Sequence, residues 1–264
     1  MAKNMSRGFA TRFKGYILLK ALVKNLKYEL LSLTSAIKPV KAIPVLLYHS
    51  IGENKSIHTV HPKEFEKQMR YLKKNYEVKS LSEILDFVEG KDDPPKNVVA
   101  ITFDDGYQDI YTNAYPILKK HDFPATVFIA TGYCGREMPL TNIKLKMLSW
   151  DEVRKLAEGG IEIGAHTVTH RVLTELSLKE AREEMFRSKD EVEKRIGRRV
   201  LYFAYPKGKA NRELLNLAKE VGFKAAFWGE GMIKVGDNPY ALKRVSVNQT
   251  VTLSHFKLRL MKSS

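Results

Sequence analysis

Short apolar runs alternate with segments of helical periodicity between residues 43 and 247, and this alternation constrains the fold more than any other feature. Runs typical of buried strands lie at 43–48, 98–103, 125–130, 161–164, 200–204, 223–228 and 244–247. Helical segments lie at 61–76, 81–88, 111–121, 149–158, 177–196 and 211–221. Strands that alternate with helices through short connections predict βα units with parallel strand pairing. Periodicity alone leaves two architectures open, an open doubly wound sheet and a closed barrel.

The composition excludes several classes of protein. Of the 264 residues, 44% are hydrophobic and 28% are charged, which is typical of a globular protein and not of a disordered chain or a membrane channel. The single cysteine, Cys134, has no second cysteine with which to form an internal disulfide bond. A disulfide-stabilised scaffold is therefore excluded, and a reducing compartment is favoured.

Positive charge is concentrated at the N-terminus. Residues 1–41 contain nine Lys or Arg and one acid, Glu29, which accounts for +8 of the net charge of +15. Such a basic stripe suits an anionic membrane, a phosphorylated substrate or nucleic acid. The chain has no nucleic-acid-binding motif and no interleaved aromatic pattern, so nucleic acid is the least favoured of these partners.

The same N-terminal segment has the pattern of an amphipathic helix. Its apolar residues recur at helical spacing, at Leu19, Val23, Leu26, Leu30 and Leu33. Lysines interrupt this run well before the roughly 18 residues that a membrane span needs, and the segment lacks the features of a signal peptide. We therefore predict a basic helix at 1–40 and one further domain at 41–264. The helix either packs on that domain or lies on an anionic membrane through residues 1–38.

The first candidate for chemistry is the hexapeptide 102–107, Thr-Phe-Asp-Asp-Gly-Tyr, at the end of an apolar run. In a regular strand the adjacent carboxylates Asp104 and Asp105 would point to opposite faces. Gly106 allows the backbone to turn there, so both carboxylates could converge on one site. A surface Asp-Gly turn is the alternative interpretation.

The second candidate is the histidine pair His166 and His170, which follows the predicted strand at 161–164. Imidazoles four residues apart can reach one metal ion from a tight loop or a single helical turn. No acid lies between them, so the third ligand must come from elsewhere, and an aspartate at a neighbouring strand end would supply it. A pair of solvated or core histidines is the alternative.

Together the two motifs resemble those of the polysaccharide deacetylases of carbohydrate esterase family 4, the nodulation-protein B homology domain. The similarity extends over about residues 44–247 and includes Leu-Ser-Trp at 148–150, 158–164 and Phe-Ala-Tyr-Pro-Lys-Gly at 203–208. The resemblance implies a distorted, TIM-like (β/α) barrel of about seven strands, with the site at the carboxyl ends of the strands.

The resemblance also implies roles for the residues of the two motifs. Asp104 would be the general base, and the metal ligands would be Asp105, His166 and His170. The ion would be zinc, with cobalt, nickel or iron as alternatives, and it would lower the pKa of a water molecule. The backbone N–H of Lys207 would donate a hydrogen bond to the oxyanion that forms on the acetyl carbonyl.

The general acid is expected near the N-terminal side of the domain. The family's Leu-x-His motif is absent from the end of this chain, but His49 follows the first apolar run within Leu-Leu-Tyr-His-Ser-Ile. This segment resembles the subgroup that acts on poly-N-acetylglucosamine. We therefore predict that His49 protonates the leaving amine, and a histidine with a purely structural role is the alternative.

The segment 203–208, which corresponds to a third motif of the family, departs from the family pattern. Ala204 stands near the position of an arginine that orients the base, and Arg244 is predicted to replace that arginine from the last strand. Lys207 stands where most members have an aromatic residue. It would add positive charge at the rim of the site and favour a sugar that bears a phosphate or carboxylate group. The alternative is that its side chain points to solvent. Trp150 and Tyr205 are candidates for contacts to the substrate, although such aromatic residues are as often core.

The expected function is metal-dependent removal of acetyl groups from N-acetylglucosamine-type sugars of a glycan or a lipid-linked saccharide. An O-acetyl esterase or a small-amide hydrolase would use the same site. A non-catalytic barrel that binds a glycan or a membrane is the third hypothesis, and it is disfavoured because a base, three ligands and an acid are all present. The expected location is the cytoplasm or the inner face of the membrane.

Overall fold

Seven parallel strands close into a barrel in the computed structural model, which describes residues 42–140 and 143–261. The predicted helix at 1–40 lies outside the described residues. The barrel strands are β2 (Val45–Tyr48), β6 (Val98–Phe103), β7 (Thr126–Ile129), β10 (Glu162–Ala165), β11 (Tyr202–Ala204), β12 (Ala225–Glu230) and β14 (Leu242–Ser246). They neighbour one another in chain order, and pairing of β14 with β2 and of β2 with β6 closes the ring. The structure therefore confirms the predicted barrel and excludes the open sheet.

Helices cover the outside of the barrel. They are α1 (Pro62–Asn75), α2 (Leu81–Val88), α3 (Tyr115–His121), α4 (Trp150–Glu158), α5 (Leu178–Ile196), α6 (Arg212–Val221) and α7 (Leu253–Met261). Serine capping boxes begin three of these helices, with Ser80, Ser149 and Ser177 as N-caps. In each box the serine and the glutamate three residues later satisfy free N–H groups of the first turn, which defines the start of the helix in the sequence.

The interior of the barrel is apolar and closed at the amino ends of the strands. Helix α2 packs there with Val45, Val98 and Phe227 in one buried cluster. Gly164 lies beside Phe128, and a Cβ atom on Gly164 would come within 2.4 Å of the Phe128 ring. The ring of Phe128 thus occupies the space that a side chain at 164 would need. The opposite end, where the strands terminate, remains open to solvent.

The remaining strands are short and lie outside the seven-stranded ring. They are β1 (Ala42–Ile43), β3 (Ser50–Ile51), β4 (Thr59–Val60), β5 (Glu77–Val78), β8 (Glu137–Leu140), β9 (Ile143–Lys146) and β13 (Ile233–Lys234). Strand β1 pairs antiparallel with β13 just before β2 begins, so the chain enters the barrel at its closed end. Sequence periodicity did not predict the antiparallel β8–β9 pair or α7. Within the described ranges, every helix is too short or too polar to cross a membrane.

A partly buried carboxyl group at the closed end predicts a pH-dependent stability. Glu162 accepts a 3.1 Å hydrogen bond from Thr126 Oγ1, and burial raises the pKa of Glu162 to about 7. The unfolded chain loses this proton at lower pH than the folded protein, so the folded state is destabilised as pH rises from about 4.5 to about 7. We expect Glu162→Gln to match the wild type at pH 5 and to be more stable at pH 8, by about 2–3 kcal/mol.

Urea unfolding at the two pH values measures this effect. Glu158→Gln, at an exposed position of α4, is the control and should leave the difference between pH 5 and pH 8 unchanged. If the stability of Glu162→Gln had the same pH dependence as that of the wild type, the pKa of Glu162 would not be raised by folding.

Candidate active site

The two acids of the hexapeptide lie at the open end of the barrel, directly after β6. Asp104 and Asp105 are each 4% exposed. Asp104 extends the direction of the strand, and its N–H donates to Tyr48 O at 2.9 Å. Asp105 adopts a left-handed conformation with φ 71°, followed by Gly106 at φ 85°. The backbone turns at both residues, and this turn brings both carboxylates to the same cavity.

Arg244 lies in β14 and forms a buried two-pronged ion pair with Asp104. Its Nη1 and Nη2 atoms donate to the two carboxylate oxygens at 2.7 and 2.6 Å. The guanidinium carbon lies 5.4 and 5.7 Å from the ring centres of Phe128 and Phe227. Two parallel hydrogen bonds fix both the position and the orientation of a carboxylate. The Asp104 side chain is therefore held rigidly at the floor of the cavity.

The ion pair also determines the charge of Asp104. Burial alone would raise the pKa of this carboxyl group, but Arg244 and then His166 bring the pKa below its usual value. The carboxylate is consequently ionised at neutral pH and can accept a proton. Thr102 completes the arrangement, because its Oγ1 accepts from Arg244 Nη1 at 3.2 Å while donating to Leu46 O.

Asp105, His166 and His170 form a compact group beside Asp104. Asp105 Oδ1 lies 3.3 Å from His166 Nε2 and 3.1 Å from His170 Nε2. The three candidate ligand atoms all lie within 4.8 Å of one another. Burial would raise the pKa of Asp105, but hydrogen bonds from the two histidines hold it well below its usual value.

The separations and the ring orientation in this group fit a divalent metal ion. Ligand bonds of about 2.0–2.1 Å at tetrahedral angles place ligand atoms about 3.4 Å apart, close to the observed distances. His166 Nδ1 lies 2.7 Å from Ala204 O. Because a carbonyl oxygen can only accept, Nδ1 donates to it, and Nε2 is the ring nitrogen that faces Asp105 and would bind an ion once it has lost its proton. These residues could therefore hold zinc or a similar ion.

The loop that carries the histidines is anchored by a glutamate of α5 that sequence analysis did not single out. Glu184 accepts hydrogen bonds from Val168 N at 2.8 Å, from Thr169 N at 2.9 Å and from Thr169 Oγ1 at 2.7 Å. Thr167 and His170 have positive φ angles of 67° and 57°. Such conformations cost free energy and persist only where neighbouring contacts impose them. Glu184 supplies such contacts, and it thereby supports the position of His170.

We expect Glu184→Gln to weaken metal binding by about 10- to 100-fold, as loss of a residue that orients metal ligands typically does. The neutral amide would accept fewer of the three hydrogen bonds, and the loop would lose part of its support. Competition with a chromogenic chelator measures the affinity. The neighbouring exposed residue Glu183 provides the control variant, Glu183→Gln, which should bind metal like the wild type. Equal affinities for both variants would contradict a supporting role for Glu184.

His49 reaches the same cavity from the opposite side, directly after β2. Burial lowers the pKa of His49, while the charges of Asp105 and Asp104 oppose that shift. Its ring centre lies 5.1 Å from that of His58, which arrives from the loop between β3 and β4. Asp109 anchors this loop by accepting from Ser50 Oγ at 2.5 Å and from Ile51 N at 3.1 Å. His58 belongs to no sequence motif, and only the folding of the loop brings it to the site.

The cavity enclosed by these residues has a volume of about 360 Å³. Its walls contain ten side chains with polar or charged groups: His49, His58, Asp104, Asp105, His166, His170, Lys207, Glu230, Arg244 and Ser246. Seven of the nine residues predicted for the site therefore line one cavity. A volume of this size accommodates a sugar ring with its acetamido group.

The other two predicted residues lie outside the cavity walls. Tyr205 is fully buried, and its hydroxyl lies 3.3 Å from Tyr240 O, behind the turn that carries Lys207. Trp150 is the first residue of α4, and the Arg195 guanidinium lies 5.2 Å from its ring centre. Neither side chain touches the cavity, because each packs among the outer helices. The structure therefore does not bring Tyr205 and Trp150 into contact with a substrate in the cavity.

Comparison with known proteins agrees with this architecture. Residues 91–226 match the family model described as polysaccharide deacetylase. The chain is 32% identical over 203 residues to the poly-beta-1,6-N-acetyl-D-glucosamine N-deacetylase of Staphylococcus aureus (strain MRSA252), covering 72% of this chain and 68% of that protein. It is 34% identical over 221 residues to YxkH of Bacillus subtilis (strain 168), named as a presumed polysaccharide deacetylase, covering 83% and 76%.

Two solved structures share the fold over most of the chain. The Streptococcus pyogenes deacetylase PplD, in complex with acetate, superposes with a TM-score of 0.74 at 29% identity, covering 85% of this chain and all of that one. IcaB from Ammonifex degensii superposes with a TM-score of 0.73 at 25% identity, covering 84% and 97%. The fold and the family are those of enzymes that deacetylate carbohydrates. This chain belongs to the polysaccharide deacetylase family.

Proposed function

We propose that this protein hydrolyses the N-acetyl groups of an N-acetylglucosamine-type glycan or lipid-linked saccharide with the help of a bound divalent ion, supplied as zinc or cobalt in vitro. One observation carries the proposal: the ionised carboxylate of Asp104, held by Arg244, lies beside the group of Asp105 and two histidines in a cavity large enough for a sugar. The relatives named above as deacetylases support the same reaction class.

 

In the proposed mechanism the side chains of this chain divide the proton transfers between them. A divalent ion, when bound, lowers the pKa of a water molecule toward neutrality. Asp104 accepts the proton of the attacking water, and Arg244 keeps that carboxylate ionised and correctly oriented. His49, on the other side of the cavity, donates a proton to the nitrogen of the leaving amine. The backbone N–H of Lys207 donates to the oxyanion that forms on the acetyl carbonyl.

The decisive experiment is acetate release from N-acetylglucosamine oligomers and from a lipid-linked N-acetylated sugar. The protein is stripped of metal with a chelator and then assayed with and without added zinc or cobalt. Release that depends on the added ion supports the proposal and identifies the length of substrate that is accepted. If the protein binds one equivalent of metal yet releases acetate only from O-acetylated sugars or small amides, the substrate class is different. If the protein releases no acetate from any of these substrates, a barrel that binds a glycan or a membrane without catalysis becomes the favoured function.

The role of His49 predicts a dependence on the leaving group. We expect His49→Gln to lower kcat/KM for an N-acetylated sugar by about 100-fold or more, because an amine leaves only when protonated. Hydrolysis of 4-nitrophenyl acetate should change much less, since nitrophenolate leaves without a proton. Comparing the two substrates in one preparation controls for folding and metal content. An equal loss on both substrates would indicate that His49 has a structural role.

The proposal extends to location, where the support comes from sequence alone. The basic segment 1–38 would bring the enzyme to the inner face of a membrane, where lipid-linked sugars are found. Deleting residues 1–38 should then lower recovery of the protein in the membrane fraction of cells. Unchanged recovery would remove the membrane from the proposal and leave the barrel chemistry untouched.

A further inference from the structure

The carboxylates that line the cavity have partners within the structure, and one of the two cations on its wall does not. Three carboxylates line the walls, and each has a partner within the structure. Asp104 is paired with Arg244, and Asp105 is held by the two histidines of its group. Glu230 accepts from Ser246 N at 3.1 Å and lies 3.9 Å from Arg259 Nη1. The two buried acids are therefore held by close partners, whereas Glu230 is an exposed acid with a weaker ion pair.

Lys207 is the cation on the wall that these pairings do not use. Among residues 42–140 and 143–261, no carboxylate forms an ion pair with the Lys207 ammonium group. The Lys207 side chain is exposed at the cavity rim. Lys207 and His58 both line this cavity. Burial lowers the pKa of His58, Asp105 opposes this shift, and the Lys207 charge adds to it.

The backbone of Lys207 is held in place, unlike that of most surface lysines. It lies in the turn Pro206–Gly208 with φ 57°, a conformation that side-chain-bearing residues rarely adopt. Gly208 packs so closely on β12 that an added Cβ atom would lie 3.1 Å from Gly229 N. The close contact fixes the turn against the barrel. The ammonium group is therefore presented from a fixed point at the mouth of the cavity.

From this arrangement we infer that the cavity rim is an anion subsite, in which Lys207 and His58 bind a phosphate or carboxylate group on the acetylated sugar. The inference rests on the proposed function and narrows its substrate class to negatively charged N-acetylated sugars. A lysine ammonium binds phosphate as a point charge without a required orientation, and an imidazole can add a directed hydrogen bond. Both groups suit a substituent that enters beside the acetamido group.

Two sugar pairs test the subsite. N-acetylglucosamine 1-phosphate probes phosphate, N-acetylmuramic acid probes carboxylate, and N-acetylglucosamine is the neutral reference for both. Each is assayed for acetate release with the full-length, metal-loaded wild type and with Lys207→Gln. The control is Lys209→Gln, which removes the same charge two residues away at an exposed position outside the cavity.

We expect the wild type to prefer a charged sugar, and Lys207→Gln to reduce the ratio of kcat/KM for charged over neutral sugar by about three- to tenfold. Lys209→Gln should keep the ratio of the wild type. The sugar whose ratio falls more identifies phosphate or carboxylate as the preferred group. A ratio that is the same in all three proteins overturns the subsite while leaving the deacetylase proposal intact.

If no acetate release is detected, binding measured by calorimetry tests the anion subsite separately from the proposed deacetylation. N-acetylglucosamine 1-phosphate is titrated into each metal-loaded protein, so that any contact of phosphate with the metal is common to all. Weaker binding to Lys207→Gln alone supports the subsite even when no acetate is released, and only the proposed reaction is then lost. Equal binding to the three proteins overturns the subsite.

Discussion

Replacing Asp104 with Asn is expected to lower kcat for acetate release by about 100- to 10,000-fold, the usual contribution of a general base. The amide has almost the same size as the carboxylate, but it cannot accept the proton of the attacking water. The three candidate metal ligands are untouched by this change, so the variant should still bind one equivalent of metal. Acetate release per metal-loaded protein is the measurement that isolates the role of the base.

Asp93→Asn provides the matched control, because Asp93 is an exposed acid in the turn before β6. It should retain the wild-type rate. If Asp104→Asn bound metal normally and stayed within threefold of the wild-type rate, Asp104 would not be the base, and another group of the cavity would have to take the proton.

Replacing Arg244 with Met is expected to reduce the free energy of unfolding by about 3–5 kcal/mol, since it leaves a buried carboxylate without its partner. Methionine is unbranched and apolar, so it can occupy the space between the rings of Phe128 and Phe227. The loss should therefore come from the unpaired charge of Asp104 and not from an empty cavity. Urea unfolding in the presence of a chelator measures it without a contribution from bound metal.

The double variant Asp104→Asn/Arg244→Met makes the cause explicit. With both charges removed, we expect it to regain most of the stability that Arg244→Met loses. Arg259→Met serves as the control, because its ion pair with Glu230 is partly exposed and should be worth less than about 1 kcal/mol. Equal stabilities of the single and double variants would mean that packing, and not charge, sets the role of Arg244.

Periodicity and caps explain why most of the barrel could be predicted from the sequence. Buried parallel strands are continuous apolar runs, and serine capping boxes mark where helices begin. The β8–β9 pair was not predicted because each strand has only four residues and Pro139 interrupts the first, although Ile143–Lys146 alternates apolar and polar residues. Helix α7 was not predicted because it is short and lies in a basic tail, although Thr252 precedes it and accepts from His255 N at 3.3 Å. In both cases the sequence carries a local signal, but the segment is too short for that signal to predict the element.

The site was predictable where a residue directly follows a strand. Asp104, His166 and His49 do so, and parallel strands bring their carboxyl ends together. Glu184 has no such signal, because it is one of many acids on a long charged helix. Tyr205 has the opposite problem: it follows β11, but its side chain turns away from the cavity into the outer core. Position after a strand predicts which end of the barrel a residue occupies, but not the direction of its side chain.

The pairing of β1 with β13 determines the end of the barrel at which the chain enters. Residue 42 joins the barrel at the closed end, and β2 then runs the height of the barrel before it delivers His49 to the cavity. At about 3.3 Å per residue, the junction lies roughly 20 Å from the mouth. The chain therefore enters the barrel at the end opposite the cavity. A long saccharide that crosses the mouth would pass over the loops that follow the strands and not over this point of entry.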